Sequence, residues 1–138
     1  MKCKIIKLIK KKTKLVMSKI HIRIDNLKFE ITPRNTETAK NIIANLPLKG
    51  DCKKWGKEYY FYTNLIIPLE ADAKQVITLG EIAYWPLGNA IAIGYGETPI
   101  SIKKEIRLAD KCNIWADTIF DLNKLESIDS PSYIFVEG

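Results

Sequence analysis

Apolar and polar residues alternate from Lys19 onward. Ile20, Ile22 and Ile24 fall between Lys19, His21 and Arg23, the period of a half-buried strand. Asp25-Asn26 breaks the run, and Leu27, Phe29 and Ile31 then alternate with Lys28 and Glu30, so the spacing predicts a hairpin. The period changes at Asn35-Thr36-Glu37, where cap chemistry and an early acid precede Ala39, Ile42, Ile43 and Leu46 at helical spacing. Pro47 stops that helix. Residues 48–58, LKGDCKKWGKE, carry no period and read as a loop. Tyr59 to Leu65 is aromatic-rich and strand-like, Pro68 and the following EADAK break it, and Gln75 to Leu79 leads into Gly80.

The stretch GEIAYWPLGNAIAIGYGETP, residues 80–99, holds two apolar runs around Pro86, Gly88 and Asn89. A period of two puts Ile82 and Tyr84 on one face, and Ala83 and Trp85 on the other. Across the turn, Ile91 and Ile93 oppose Ala90 and Ala92. Both faces are apolar, so the strand pair is expected to be covered on both sides, one inside a barrel and the other under a helix. Gly94 and Gly96 are read as permitting a bend or bulge. Residues 100–112 read as a polar loop with some helix, Asn113 to Phe120 as a strand, and Leu122 to Ile128 as a short helix capped by Asp121. Asp129-Ser130-Pro131 turns the chain into a last strand, Tyr133 to Val136. Seven or eight strands with one early and one late helix describe a mainly β chain, a closed barrel with helices over its ends.

The chain of 138 residues is long enough for one domain with a core of its own, and 46% hydrophobic with 28% charged residues is an ordinary globular balance. Its net charge of +6 is misleading. Residues 1–16 hold seven lysines and no acid, which leaves −1 for the remainder. A nearly neutral domain gives no reason to expect nucleic acid as a partner. The lysine block, with Ile5, Leu8 and Ile9 at helical spacing, reads either as a basic amphipathic arm or as an upstream stretch read in frame before a start at Met17. The expected organisation is therefore a basic extension over 1–16 and a barrel domain over 17–138. Three cysteines, Cys3, Cys52 and Cys112, without C-x-x-C spacing and with a single histidine, argue against a disulfide framework or a zinc site. No apolar run reaches the roughly 18 to 20 residues of a membrane span, so a cytoplasmic protein without metal, cofactor or membrane partner is expected.

The order of motifs is specific. Trp55-Gly56, Tyr60-Phe61, Gly80-Glu81-Ile82, Tyr84-Trp85-Pro86, Gly88, Ala90 and Gly96-Glu97-Thr98-Pro99 together resemble the small prokaryotic cyclophilin-like domain family, over about residues 18–138. That resemblance implies a cyclophilin-like barrel of about eight strands with two helices. It does not carry the family's better-known chemistry with it. Prolyl isomerases of this fold use an arginine in a Phe-His-Arg context and a downstream Gln-Gly-Gly-Asp. Here Lys53 to Leu65 contains no arginine or histidine, and no Gln-Gly-Gly-Asp occurs. Lys57 offers a charge but not the planar fork of a guanidinium.

Other motifs lead nowhere. Gly94-Tyr95-Gly96 lacks the third glycine of a dinucleotide fingerprint. His21 sits on the polar face of its strand, and Glu70 and Asp72 read as solvated loop carboxylates. Cys52 beside Lys53 and Lys54 is either a thiol of lowered pKa or an inert one. The aromatic set Trp55, Tyr60, Tyr84 and Trp85, with Pro86 and Asn89, is the candidate ligand cleft, or else barrel packing. Asn89 would orient a ligand carbonyl or tie its turn. The expected function is a module that binds a peptide or small ligand without the usual isomerase residues. A prolyl cis/trans isomerase, or a subunit of a larger amide-hydrolysing assembly, are the alternatives.

Overall fold

The structure, a computed structural model, describes residues 20–138, so the basic extension over 1–16 and the position of Met17 lie outside the described residues. The expected first hairpin forms: β1 (Ile20–Ile24) pairs antiparallel with β2 (Leu27–Pro33). Helix α1 (Glu37–Ala44) is capped as its residues require, the Thr36 hydroxyl accepting from the Ala39 N–H at 3.1 Å. It buries Ala39 and Ile42 in the main core.

The expected loop over 48–58 is instead mostly strand. β3 (Leu48–Asp51) pairs with β10 (Tyr133–Glu137), and β4 (Lys53–Lys54) pairs with β5 (Glu58–Tyr62). Short edge pieces with Gly50 and three lysines carry no alternation, because little of either face is buried. The remaining strands are β6 (Lys74–Ile77), β7 (Glu81–Trp85), β8 (Ala90–Gly94) and β9 (Ile106–Asp117). Two 3-10 turns, Pro86–Gly88 and Leu122–Ser127, complete the set; the late helix is thus 3-10 in form, capped by Asp121 as expected.

The strands run in the order β3-β10-β1-β2-β9-β7-β8-β5-β4, with β6 paired to β9 off that path. β3 and β4 are separated by Cys52 alone, so the two ends of the sheet meet in one continuous segment. The result is a nearly closed barrel, as expected, but of ten described strands where about eight were expected.

β3 and β4 are the two additional strands, and β9 is longer than expected. Residues 106–112 form its first half, not a loop with helix, and pair with β6, while its second half pairs with β7. Ala116 stands opposite Ile82 and Ile114 opposite Ala83, leaving Trp115 as the extra residue of a bulge. The bulge lets Trp115 and Ala116 both enter the main core while Ile114 enters a second one.

The apolar spine behaves as its period dictates. Ile82, Tyr84, Ile91 and Ile93 face the main core, and Ala83 and Ala92 face the opposite side. That opposite side is not under a helix. Ile77 of β6 and Ile106, Leu108, Cys112 and Ile114 of β9 cover it, so an overhanging strand pair takes the place expected for the helix. The alanines and Gly94 make the approach possible: a Cβ on Gly94 would sit 2.6 Å from the Ile106 side chain. Gly94 lies in a regular ladder opposite Glu58, so it allows close approach and not the expected bulge.

Candidate functional site

Strand β5 divides its side chains between the two sides of the barrel wall. Tyr59 and Phe61 enter the main core, whereas Glu58, Tyr60 and Tyr62 point to the other face by the period of two. There they line a cavity of about 280 Å³. Ala90 and Ala92 of β8 and Trp85 at the end of β7 contribute more of its lining, as do Leu108, Ala109 and Cys112 of the overhanging half of β9. Trp55 lines it from the turn between β4 and β5. The cleft is therefore a gap between the barrel's outer wall and the strand that folds over it.

Two of the sequence motifs shape this cleft. Gly56 has φ +60, and a Cβ there would meet the Thr98 Cα at 2.7 Å and the Pro99 ring at 2.8 Å. The Trp55-Gly56 turn is thus seated on the Gly96–Pro99 loop, and the Lys57 N–H donates to the Glu97 carbonyl at 2.8 Å. The Thr98 hydroxyl donates to the Arg107 carbonyl, which fastens the same loop to β9. Gly88 does the corresponding work for Trp85. A Cβ on it would lie 2.2 Å from the indole Cε3 and Cζ3 atoms, so only glycine leaves room for that ring. Gly88→Ala is therefore expected to displace the Trp85 indole, at a cost of roughly 1 to 3 kcal/mol as overpacking. In a ¹H–¹⁵N spectrum the Trp85 indole resonance should move. That of Trp115, whose indole N–H donates to the Ala83 carbonyl at 3.3 Å, should stay.

The expected cleft set divides in half. Trp55, Tyr60 and Trp85 line the cavity together. Tyr84 does not: it is fully buried in the main core, its hydroxyl donating to the Leu65 carbonyl at 2.7 Å and accepting from the Ile67 N–H at 3.3 Å. Its place follows from the alternation that sets it opposite Trp85 in orientation, so the two could not share one cleft. Pro86 opens the 3-10 turn and Asn89 closes it in the left-handed region at φ 50. The Asn89 carbonyl accepts from both the Thr63 N–H and hydroxyl, at 2.8 and 2.9 Å, so this residue ties its turn.

Glu58 is the residue that sequence reasoning missed. The last residue of the expected 48–58 loop, it opens β5 two residues before Tyr60 and so shares its face. It is only 6% exposed, and among the described residues no hydrogen bond or ion pair meets its carboxyl. Burial pushes its pKa up to about 7. The other buried glutamate is held quite differently. Glu81, 8% exposed, pairs with Arg34 at 2.8 Å and Lys74 at 2.7 Å and accepts from the Thr78 N–H at 2.7 Å. Its pKa is lowered by these partners despite burial.

Other candidates resolve as structure. Burial, with the Asp25 charge, pushes the Cys52 thiol up to about 12, so its lysine neighbours do not activate it. Glu70 accepts from the Thr38 hydroxyl, and its N–H donates to the buried Asn113 side chain at 2.8 Å, joining α1 to β9. Lys57 reaches Glu126 at 3.2 Å. Among the described residues no cluster of three His, Cys, Asp or Glu side chains could hold a metal ion, and no helix is long and apolar enough to cross a membrane.

A mainly β, nearly closed barrel with an aromatic cleft on its outer wall is the architecture these residues define. Residues 18–137 match the family model described as cyclophilin-like, and the chain belongs to that family. It is similar to the solution structure of a hypothetical protein from Archaeoglobus fulgidus, with 32% identity over 88% of this chain and 95% of that one, at a TM-score of 0.73. No curated protein matches the chain.

Proposed function

We propose that this protein is a binding module that holds a peptide segment or small ligand in the cleft beneath β9. The observation that carries this reading is the cavity itself: four aromatic side chains, Trp55, Tyr60, Tyr62 and Trp85, around a buried carboxyl that no described residue partners. An apolar pocket with one perturbed polar group is the usual form of a small-ligand site. At about 280 Å³ it lies near the lower end of ligand pockets, roughly 300 to 1,000 Å³, which suits a single side chain or a compact molecule. The free thiols of Cys52 and Cys112 accord with the reducing cytoplasm proposed as its home.

Bond-making chemistry is not part of this reading. The chain has three arginines, and each is paired with a carboxylate: Arg23 with Glu137, Arg34 with Asp117 and Glu81, and Arg107 with Glu105. None lines the cleft. An amide twisting about its C–N bond would find no guanidinium there to stabilise it. The expected result in a proline-peptide exchange assay is no acceleration at micromolar protein. Catalysis that disappears when Tyr60 or Lys57 is changed would favour the isomerase alternative.

The binding reading is tested by titrating a set of small neutral and charged fragments while following the three indole resonances. Trp55 and Trp85 should move and Trp115, fully buried in the main core, should not. A set in which no fragment moves either cleft indole would end the proposal.

A further inference from the structure

We infer that the cleft takes the ammonium head of an organic amine, with Glu58 as its counter-charge and the rings of Trp55, Tyr60, Tyr62 and Trp85 as its walls. This rests on the ligand-binding reading above and names the ligand class. The faces of aromatic rings carry negative potential and attract a desolvated cation. Tyr60 and Tyr62 already meet edge to face, with centroids 5.7 Å apart and planes at 85°, so they present surfaces in two orientations. Among the described residues the only charged side chain lining the cavity is Glu58, and no lysine or arginine lines it. The carboxylate and the ring faces are both complementary to a cation, while the buried Trp85 indole N–H, without a partner among the described residues, is left for an acceptor on the same ligand.

The comparison with Glu81 sharpens the point. A buried carboxylate is costly unless it is paired. This chain surrounds Glu81 with Arg34, Lys74 and a backbone donor, but gives Glu58, which is similarly buried, no hydrogen bond or ion pair among the described residues. A bound ammonium would supply both the missing charge and the missing hydrogen-bond donor, or, if fully alkylated, the charge alone.

The groups that feel the Glu58 charge are Tyr60 on its own strand and Cys112 on β9; Tyr62 interacts with Tyr60, and Asp110 with Cys112. The Tyr60 hydroxyl is raised above its ordinary value and the Cys112 thiol is pushed up to about 12, so both stay neutral at pH 7. Glu58, at about 7, is the group that titrates there. Cation affinity should therefore be highest above pH 7 and weaken below it, as the carboxyl takes up a proton, until it levels off at the affinity of the neutral site.

The test compares choline with its neutral isostere 3,3-dimethyl-1-butanol, by calorimetry and by the Trp55 and Trp85 resonances, on the full chain. Choline is expected to bind at least about tenfold more tightly at pH 8. Glu58→Gln should remove most of that preference, leaving only what the ring faces supply, and leave the affinity for the alcohol unchanged. A parallel arm with Nε-trimethyl-lysine in a blocked tripeptide distinguishes the sources of the head group. Either arm showing the Glu58 dependence supports the inference, and the tighter one identifies the source. Equal affinity for choline and the alcohol, or a choline affinity that does not change between pH 8 and pH 5.5, overturns it while leaving the cleft a binding site. Failure of these probes and of the whole fragment set would remove both readings together. The pH series uses the unaltered chain, so the result does not depend on the folding of a variant.

Discussion

Ile91→Ala should destabilise the protein by roughly 2 to 4 kcal/mol, the cost of a truncation that leaves a cavity in a packed core. Ile91 is fully buried on β8, opposite Phe61 on one side and Tyr84 on the other, and all three belong to the main core. Its neighbours are ladder-bound and aromatic, so they are poorly placed to collapse into the space. Urea unfolding measures the change directly, and the melting temperature should fall by on the order of 10 °C. Leu87→Ala is the control. That leucine lies 78% exposed in the turn between β7 and β8, so its loss should stay within about 0.5 kcal/mol. Equal effects at the two sites would mean that the spine does not carry the barrel.

What the residues disclosed in advance, and what they concealed, follows from how many faces each element buries. The β1–β2 hairpin has one buried face and a clean alternation, so its register could be read directly. The helix cap at Thr36 and the Asp121 cap, whose carboxylate accepts from the Asn123 N–H at 3.1 Å, were equally plain because capping chemistry is local. The first half of β9 was not. Ala109, Asp110 and Lys111 are exposed in succession, and a bulge interrupts its pairing with β6, so no period of two survives there. Its role as the cover of the cleft was hidden with it.

The cleft was legible by half for a related reason. Aromatic residues in family motifs pointed to Trp55, Tyr60 and Trp85, but composition alone does not say which way a strand residue faces. The period of two on β7 separates Tyr84 from Trp85, and on β5 it adds Glu58 and Tyr62 to Tyr60. From the sequence, Gly94 and Gly96 read as a bend or bulge and Gly88 as part of a turn. In the fold, Gly56 and Gly88 leave room for neighbours that hold Trp55 and Trp85 in place.

Glu58→Gln should stabilise the protein by up to about 3 kcal/mol above pH 7 and by almost nothing near pH 4. The direction follows from proton binding. In the folded protein the carboxyl titrates near 7, against an ordinary 4.5 in the unfolded chain. Between those values the folded state holds more protons than the unfolded one, so stability falls as pH rises through the window. Below about 4.5 the group is neutral in both states and exerts no penalty; above about 7 the penalty is complete. Glutamine keeps the shape without the charge, so the difference between the two proteins isolates this one group from every other that titrates. Urea unfolding at pH 4, 6 and 8 should give a difference that grows with pH and then levels off. A constant difference, or a variant less stable at pH 8, would mean that the carboxylate is satisfied in a way the geometry does not contain. A residue that weakens the fold when ionised, set in a wall of aromatic rings, accords with the ligand position proposed for it. An amine that supplies the missing charge should accordingly raise the melting temperature of the unaltered protein more at pH 8 than at pH 5.5, and should do little for Glu58→Gln at either.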